Sequence, residues 1–231
     1  MTHEPVADAV RGLGDRLEAA VKPRLRGWLH AGTFPAALVA GAVLVALAPT
    51  AATRAAAAVF AVTAALLFGT SAVYHRGSWT PRASAVLRRL DHSNIFLIIA
   101  GTYTPLAVAT LAPDRARTLL VLVWAGALAG VAFRVFWVGA PRWLYTPVYV
   151  ALGWVAVGYL GDFARGGGTA VAVLVVVGGL LYTLGALAYA TKRPDPSPRW
   201  FGFHEVFHAF TVVAFAAHWA AILVATVRHG G

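Results

Sequence analysis

Seven apolar runs, at roughly residues 29–49, 55–75, 91–112, 118–138, 146–162, 169–190 and 204–226, constrain this chain more than any other feature. A helix needs about 20 apolar residues to cross about 30 Å of hydrocarbon, and most of these runs approach that length. The fifth is the shortest and has room to extend into its flanks. Inside lipid the backbone must satisfy its own hydrogen bonds, so each run is expected to be a helix. Composition closes the soluble alternative. Only 12% of the 231 residues are charged, whereas a soluble domain carries about a quarter. The expected fold is therefore all-α, a polytopic membrane protein with a seven-transmembrane helix bundle over residues 29–226. Residues 1–28 read as a polar N-terminal tail, with room for a short amphipathic helix on the membrane surface, and 227–231 as a C-terminal tail. No internal repeat stands out.

Charge assigns an orientation. The formal charge is +10. In so apolar a chain this excess reads as topology-setting charge in loops, and no nucleic-acid partner is expected. With the N-terminus placed in the cytoplasm, fourteen Lys and Arg fall inside and five outside. The expectation is a cytoplasmic N-terminus and an outside C-terminus. Arg134, a turn short of the fourth run's inner end, has room to snorkel to the interface. Cysteine is absent, which excludes disulfides and Cys-ligated metals.

The polar residues at the inner ends of the runs carry the chemistry. The second run ends in "SAVYH", with Ser71 and His75. The third opens with "LDHSN", with Asp91 and His92, and the seventh with "HEVFH", with His204, Glu205 and His208. Three segments distant in sequence thus bring His75, Asp91, His204 and His208 to one membrane level. His204 and His208 lie about 40° apart around a helix and about 6 Å apart along it, so one ion can be gripped from one face. Imidazole and carboxylate suit zinc, and three protein ligands with a water is the catalytic arrangement. Buried ionisable groups in a membrane are costly and usually face a cavity or one another. For His92, and for His3, His30 and His229 near chain or helix ends, an interfacial or hydrogen-bonded role is the expectation. His218 is too far along its helix to share the ion, and either lines the bundle interior or pairs with a neighbouring helix.

"SAVYH", "LDHSNIFLIIAGTYTP" and "HEVFHAFTVVAFAAHW" together resemble the three signatures of the hemolysin III family, which is related to the progestin and adipoQ receptors and more distantly to alkaline ceramidases. The resemblance covers about residues 29–226. It implies a zinc ion near the cytoplasmic face, held by His75, His204 and His208, with Asp91 contacting its water and Ser71 in a supporting or substrate-contact role. It also implies a bacterial plasma-membrane protein.

Several functions follow from such a site. The first is a zinc-dependent, ceramidase-like hydrolase of lipid amide or ester bonds, with membrane lipid as partner and Asp91 as proton acceptor. A second is a non-enzymatic sensor with structural zinc, and a third a pore-forming, cytolytic protein. A fourth is an intramembrane metalloprotease, because H-E-x-x-H commonly supplies two metal ligands and a glutamate base. Glu205 would be that base, although it projects about 100° from His204. Gly101 and Pro105 interrupt the third run, and Thr102 falls on the same face as Asp91.

Overall fold

A computed structural model describes residues 22–137 and 141–229; the side chains of Arg142, Trp143 and His229 lie outside that description, as do residues 1–21 with the proposed surface helix. Among the described residues the fold is all-α, with seven helices or helical spans long and apolar enough to cross a membrane. They are α1 (Trp28–Leu47), α2 (Ala51–Arg76), α3 (Pro81–Thr110), α4 (Pro113–Phe136), a composite fifth span, α7 (Thr169–Thr191) and α8 (Phe203–His229). The fifth span, Leu144–Gly167, consists of α5 (Arg142–Gly153), a 3₁₀ segment (Trp154–Tyr159) and α6 (Leu160–Gly167).

Two boundaries differ from those read off hydropathy. The third span starts at Pro81 rather than near 91 and runs for 30 residues, about 45 Å of helix. Hydropathy overlooks the polar first turns, but the start is written in Thr80-Pro81. The Thr80 hydroxyl accepts from the Ala83 amide at 3.3 Å, and proline at the first helical position loses no hydrogen bond. The last helix continues to His229, so residues 227–229 of the expected C-terminal tail are helical. The short fifth run does extend into its flanks. Its 3₁₀ interruption is braced by the Tyr103 hydroxyl, which donates to the Gly153 carbonyl and accepts from the Ala156 amide, both at 2.6 Å.

Successive spans pack side by side, and α8 closes the bundle against α7, α1 and α3. The hub is α3, which touches α2, α4, the fifth span and α8. Phenylalanines fill the middle: Phe215 of α8 stacks on Phe60 and meets Phe68 edge-on, both from α2. The outside is apolar, with Val39, Val62, Val121, Leu128, Leu187 and Val213 exposed, while Thr63, Asn94, Thr102 and Thr211 are buried. That is the arrangement a lipid-facing surface demands, since exposed apolar patches of this extent do not occur on soluble monomers.

Gly101 permits the closest approach of α2 to α3. A Cβ there would lie 2.1 Å from the Thr63 hydroxyl, which is itself held at 3.0 Å from the Val59 and Phe60 carbonyls. Gly101→Ala is therefore expected to cost about 1–3 kcal/mol through overpacking. Thermal unfolding in detergent would measure it. Adding Thr63→Ala should recover part of the loss, because the worst clash disappears while the Thr63 Cβ contact at 2.9 Å remains.

Candidate metal centre

The last turn of α2 and the first turns of α8 meet α3 at Asp91, ten residues past its start, so the residues that the sequence puts at one level do come together. His75 occupies the last turn of α2, and His204 and His208 the first turns of α8. One ligand atom from each lies within 4.8 Å of the other two. The Nε2 atoms of His75 and His204 are 3.2 Å apart, and the His208 ring centroid is 4.5 Å from that of His204 and 5.2 Å from that of His75. Two nitrogens each about 2.0–2.1 Å from one tetrahedral ion would sit roughly 3.3 Å apart. The His75–His204 pair has that spacing, and three imidazoles at the end of a bundle form a set that could hold a metal.

Asp91 and Ser71 stand beside this set. An oxygen of the Asp91 carboxylate is 3.6 Å from His75 Nε2. Ser71, one helical turn before His75, is buried, and its hydroxyl has no hydrogen-bond partner among the described residues. The same holds for His208 Nδ1.

The structure corrects the reading of His30. Expected to be an interfacial end residue, it is 2% exposed and stacks on His208, ring centroids 3.7 Å apart and planes 7° from parallel. It also meets Phe68 edge-on, and neither ring nitrogen has a partner. The signal was available: His30 lies at the N-terminal end of its run, at the same level that collected the other histidines. His92 is hydrogen-bonded, as expected, with Nδ1 2.7 Å from the Arg88 carbonyl and Nε2 3.4 Å from the Tyr189 hydroxyl. His218 does both things expected of it, lining the interior and placing Nε2 3.1 Å from the Val175 carbonyl of α7. His3 and the His229 side chain lie outside the described residues.

Glu205 belongs to a different assembly. It is 1% exposed; one carboxylate oxygen accepts from the Gly202 amide at 2.8 Å, and the other receives the Arg26 guanidinium. Its work is to cap α8 and to tie down the segment before α1. That segment is also held by the Arg24 and Leu25 amides, which donate to the Arg199 and Trp200 carbonyls. Gly27 ends it with φ 80°, where a Cβ would lie 2.6 Å from the His75 Cβ. Only glycine accepts both that conformation and that approach.

A cavity of about 110 Å³ opens from the cluster into the bundle. Its wall follows α3 from Asp91 to Leu106, about 22 Å by helix rise. Ser71, Asp91, His204 and His208 mark one end, while Leu67, Ile95, Ile99, Leu106, Val157 and Leu160 supply much of the rest. The space is long and mostly apolar; Ser71, Asp91, His204 and His208 line its histidine end, and Thr102, Tyr182, Thr183 and His218 add polar groups further in.

These features define a multi-pass helical membrane protein with a buried histidine cluster at the mouth of an apolar cavity. A family model described as "Haemolysin-III related" matches residues 19–219. The chain is 33% identical to "Hemolysin-3 homolog" of Bacillus subtilis (strain 168) over 173 residues, covering 74% of this chain and 76% of that one. It is 31% identical to "Hemolysin-3" of Bacillus cereus over 168 residues, covering 71% and 72%. The chain belongs to the haemolysin-III related family.

The Arg26–Glu205 pair generates a prediction independent of any metal. In a double-mutant cycle of Arg26→Met and Glu205→Gln, thermal or denaturant unfolding should show a coupling of about 1–3 kcal/mol, the range for hydrogen bonds to charged groups. Additive effects would mean the two side chains do not support one another.

Proposed function

We propose that the chain is a zinc-dependent hydrolase of an amide or ester bond in a membrane lipid, working at the cytoplasmic end of its bundle in the bacterial plasma membrane. The observation that carries this reading is the joining of a three-histidine cluster to a long apolar cavity. His75, His204 and His208 would hold the ion, and their spacing and donor type suit zinc. When bound, zinc supplies Lewis acidity, polarising a carbonyl and lowering the pKa of a water so that a nucleophile exists near neutral pH.

The chain's own groups supply the rest. Asp91, beside His75, is placed to orient a water and to take its proton on the carboxylate oxygen. The Ser71 hydroxyl is free to hydrogen-bond the polar part of a substrate. The apolar wall takes up an acyl chain and keeps bulk water from the reacting end. The loop-charge bias supports a cytoplasmic N-terminus, which puts the cluster at the inner leaflet.

Two rival readings lose ground to particular contacts. A protease of the H-E-x-x-H kind needs its glutamate as proton acceptor, whereas Glu205 is engaged with Arg26 and the Gly202 amide. The relatives' names carry the word hemolysin, but a water-filled pore needs a continuous polar lining, and this cavity is largely apolar. A sensor with structural zinc shares the ligand set and is separated from the hydrolase by turnover.

Purified protein is expected to carry about one zinc per chain by elemental analysis. His204→Ala/His208→Ala should abolish it, and stoichiometric zinc in that double variant would refute the ligand assignment. Asp91→Asn should keep zinc while hydrolysis of a fluorescent ceramide falls by about 10²-fold or more. A sharp loss of zinc instead would make Asp91 a direct ligand. Unchanged hydrolysis would remove it from the mechanism, and no turnover of lipid amides or esters by zinc-loaded wild type would leave the sensor.

A further inference from the structure

Arg134 lies in the last turn of α4, at the same end of the bundle as the histidines. The sequence leaves it free to snorkel, but the structure turns it inward. It is 3% exposed, with the guanidinium carbon 4.2 Å from the centroid of the Tyr145 ring. Nε and Nη1 have no acceptor, and no carboxylate pairs with the side chain among the described residues. The ring face offsets part of the cost of burying a cation. An unpaired charge within a membrane span is otherwise among the most costly arrangements, and such groups mark ligand paths.

The neighbourhood is short of negative charge and rich in donors. His92 follows Arg88 by one turn on α3, with Nδ1 2.7 Å from the Arg88 carbonyl, and its ring meets Tyr145 edge-on, centroids 6.0 Å apart. The Tyr145 and Tyr189 hydroxyls are 3.2 Å apart, and the Tyr189 hydroxyl is 3.4 Å from His92 Nε2. Asp91, the nearest acid in sequence to these α3 residues, is turned to His75. Tyr145, Tyr149, Tyr189 and His92 form part of the wall of the apolar cavity. Arg134 stands on the face of Tyr145, and α4 ends two residues later at Phe136, so the guanidinium lies at the end of its span, where a lipid headgroup would come.

We propose that Arg134, with the Tyr145–Tyr189 hydroxyl pair, binds the oxyanion of a membrane lipid headgroup, a phosphate ester, whose acyl chain enters the cavity. A guanidinium fork and phenol donors match a phosphate, and the oxyanion supplies the counter-charge that the described residues do not. The site goes beyond the hydrolase reading and stands without it, because it binds and need not react. Its test is therefore run with metal chelated.

Protein in nanodiscs of equal phosphatidylglycerol and phosphatidylcholine is released into the gas phase, and the lipids that it retains are weighed by native mass spectrometry. Wild type should retain phosphatidylglycerol in preference, and should do so in 1 M NaCl, where the screening length is about 3 Å and surface attraction is lost. Arg134→Gln should lower that preference by about tenfold or more, with Arg134→Lys between, and Arg193→Gln on an exposed loop should keep it. No preference in wild type, its disappearance in 1 M NaCl, its persistence in Arg134→Gln or an equal loss in Arg193→Gln would each overturn the proposal. The high-salt result on wild type decides even if Arg134→Gln fails to fold. Inorganic phosphate is the second arm. If it stabilises lipid-stripped wild type but not Arg134→Lys, and displaces the retained lipid, the lipid assignment is overturned in favour of a soluble oxyanion.

Discussion

Hydrocarbon offers no water to hydrogen-bond, and the placement of every polar group in this bundle answers to that. The spans satisfy their own backbones, and their threonines mostly return hydrogen bonds to carbonyls one turn earlier, as Thr63, Thr102, Thr104, Thr183 and Thr211 do. Against that background the unsatisfied atoms are few and grouped. Of nine buried side-chain nitrogens and oxygens without partners among the described residues, four belong to His30, Ser71 and His208 and two to Arg134. Six of the nine thus fall at the two places where a ligand would use them, and the other three are spread over Arg89, Ser93 and His218.

The histidine cluster depends on contacts that are not themselves chemical. His75 lies in the last turn of α2 and His204 in the first turn of α8, so two helix termini, which tend to fray, must be held together. The segment 22–27 does this. Gly27 presses on His75, Arg26 engages Glu205 beside His204, and the Arg24 and Leu25 amides clip to residues 199 and 200 just before α8. Glu205 thus serves the site without touching it, which explains how an H-E-x-x-H spacing can carry a glutamate whose carboxylate is spent on structure.

The cavity adds the second half of the functional reading. A metal-binding set alone fits many roles, but one opening into a long apolar space within a membrane favours a substrate with a chain. The two polar regions at the histidine end of the bundle differ in character. Around His75, His204 and His208 the groups are imidazoles with one carboxylate; around Arg134 they are a guanidinium and phenols. A lipid with a reactive carbonyl and a lipid with a phosphate head would be sorted between them by charge.

Much of this was legible in the sequence, because lipid imposes a rule that composition obeys locally. Span length, helical form, the common level of His75, Asp91, His204 and His208, and the off-axis direction of Glu205 all follow from 1.5 Å of rise and 100° of turn per residue. Helix starts hidden in polar sequence, such as Pro81, were readable only through capping chemistry. What a single helix cannot reveal is which neighbour its side chains meet. His30 and Arg134 each sit near a helix end, where snorkelling or an interfacial bond costs least, and nothing local distinguishes that fate from burial. The closing of α8 against α1 laid the His30 ring on His208, and the packing of α5 beside α4 set Tyr145 under Arg134. Depth in the membrane is a property of one helix and is written in its sequence; the partner across an interface is a property of two, and only the packed bundle decides it.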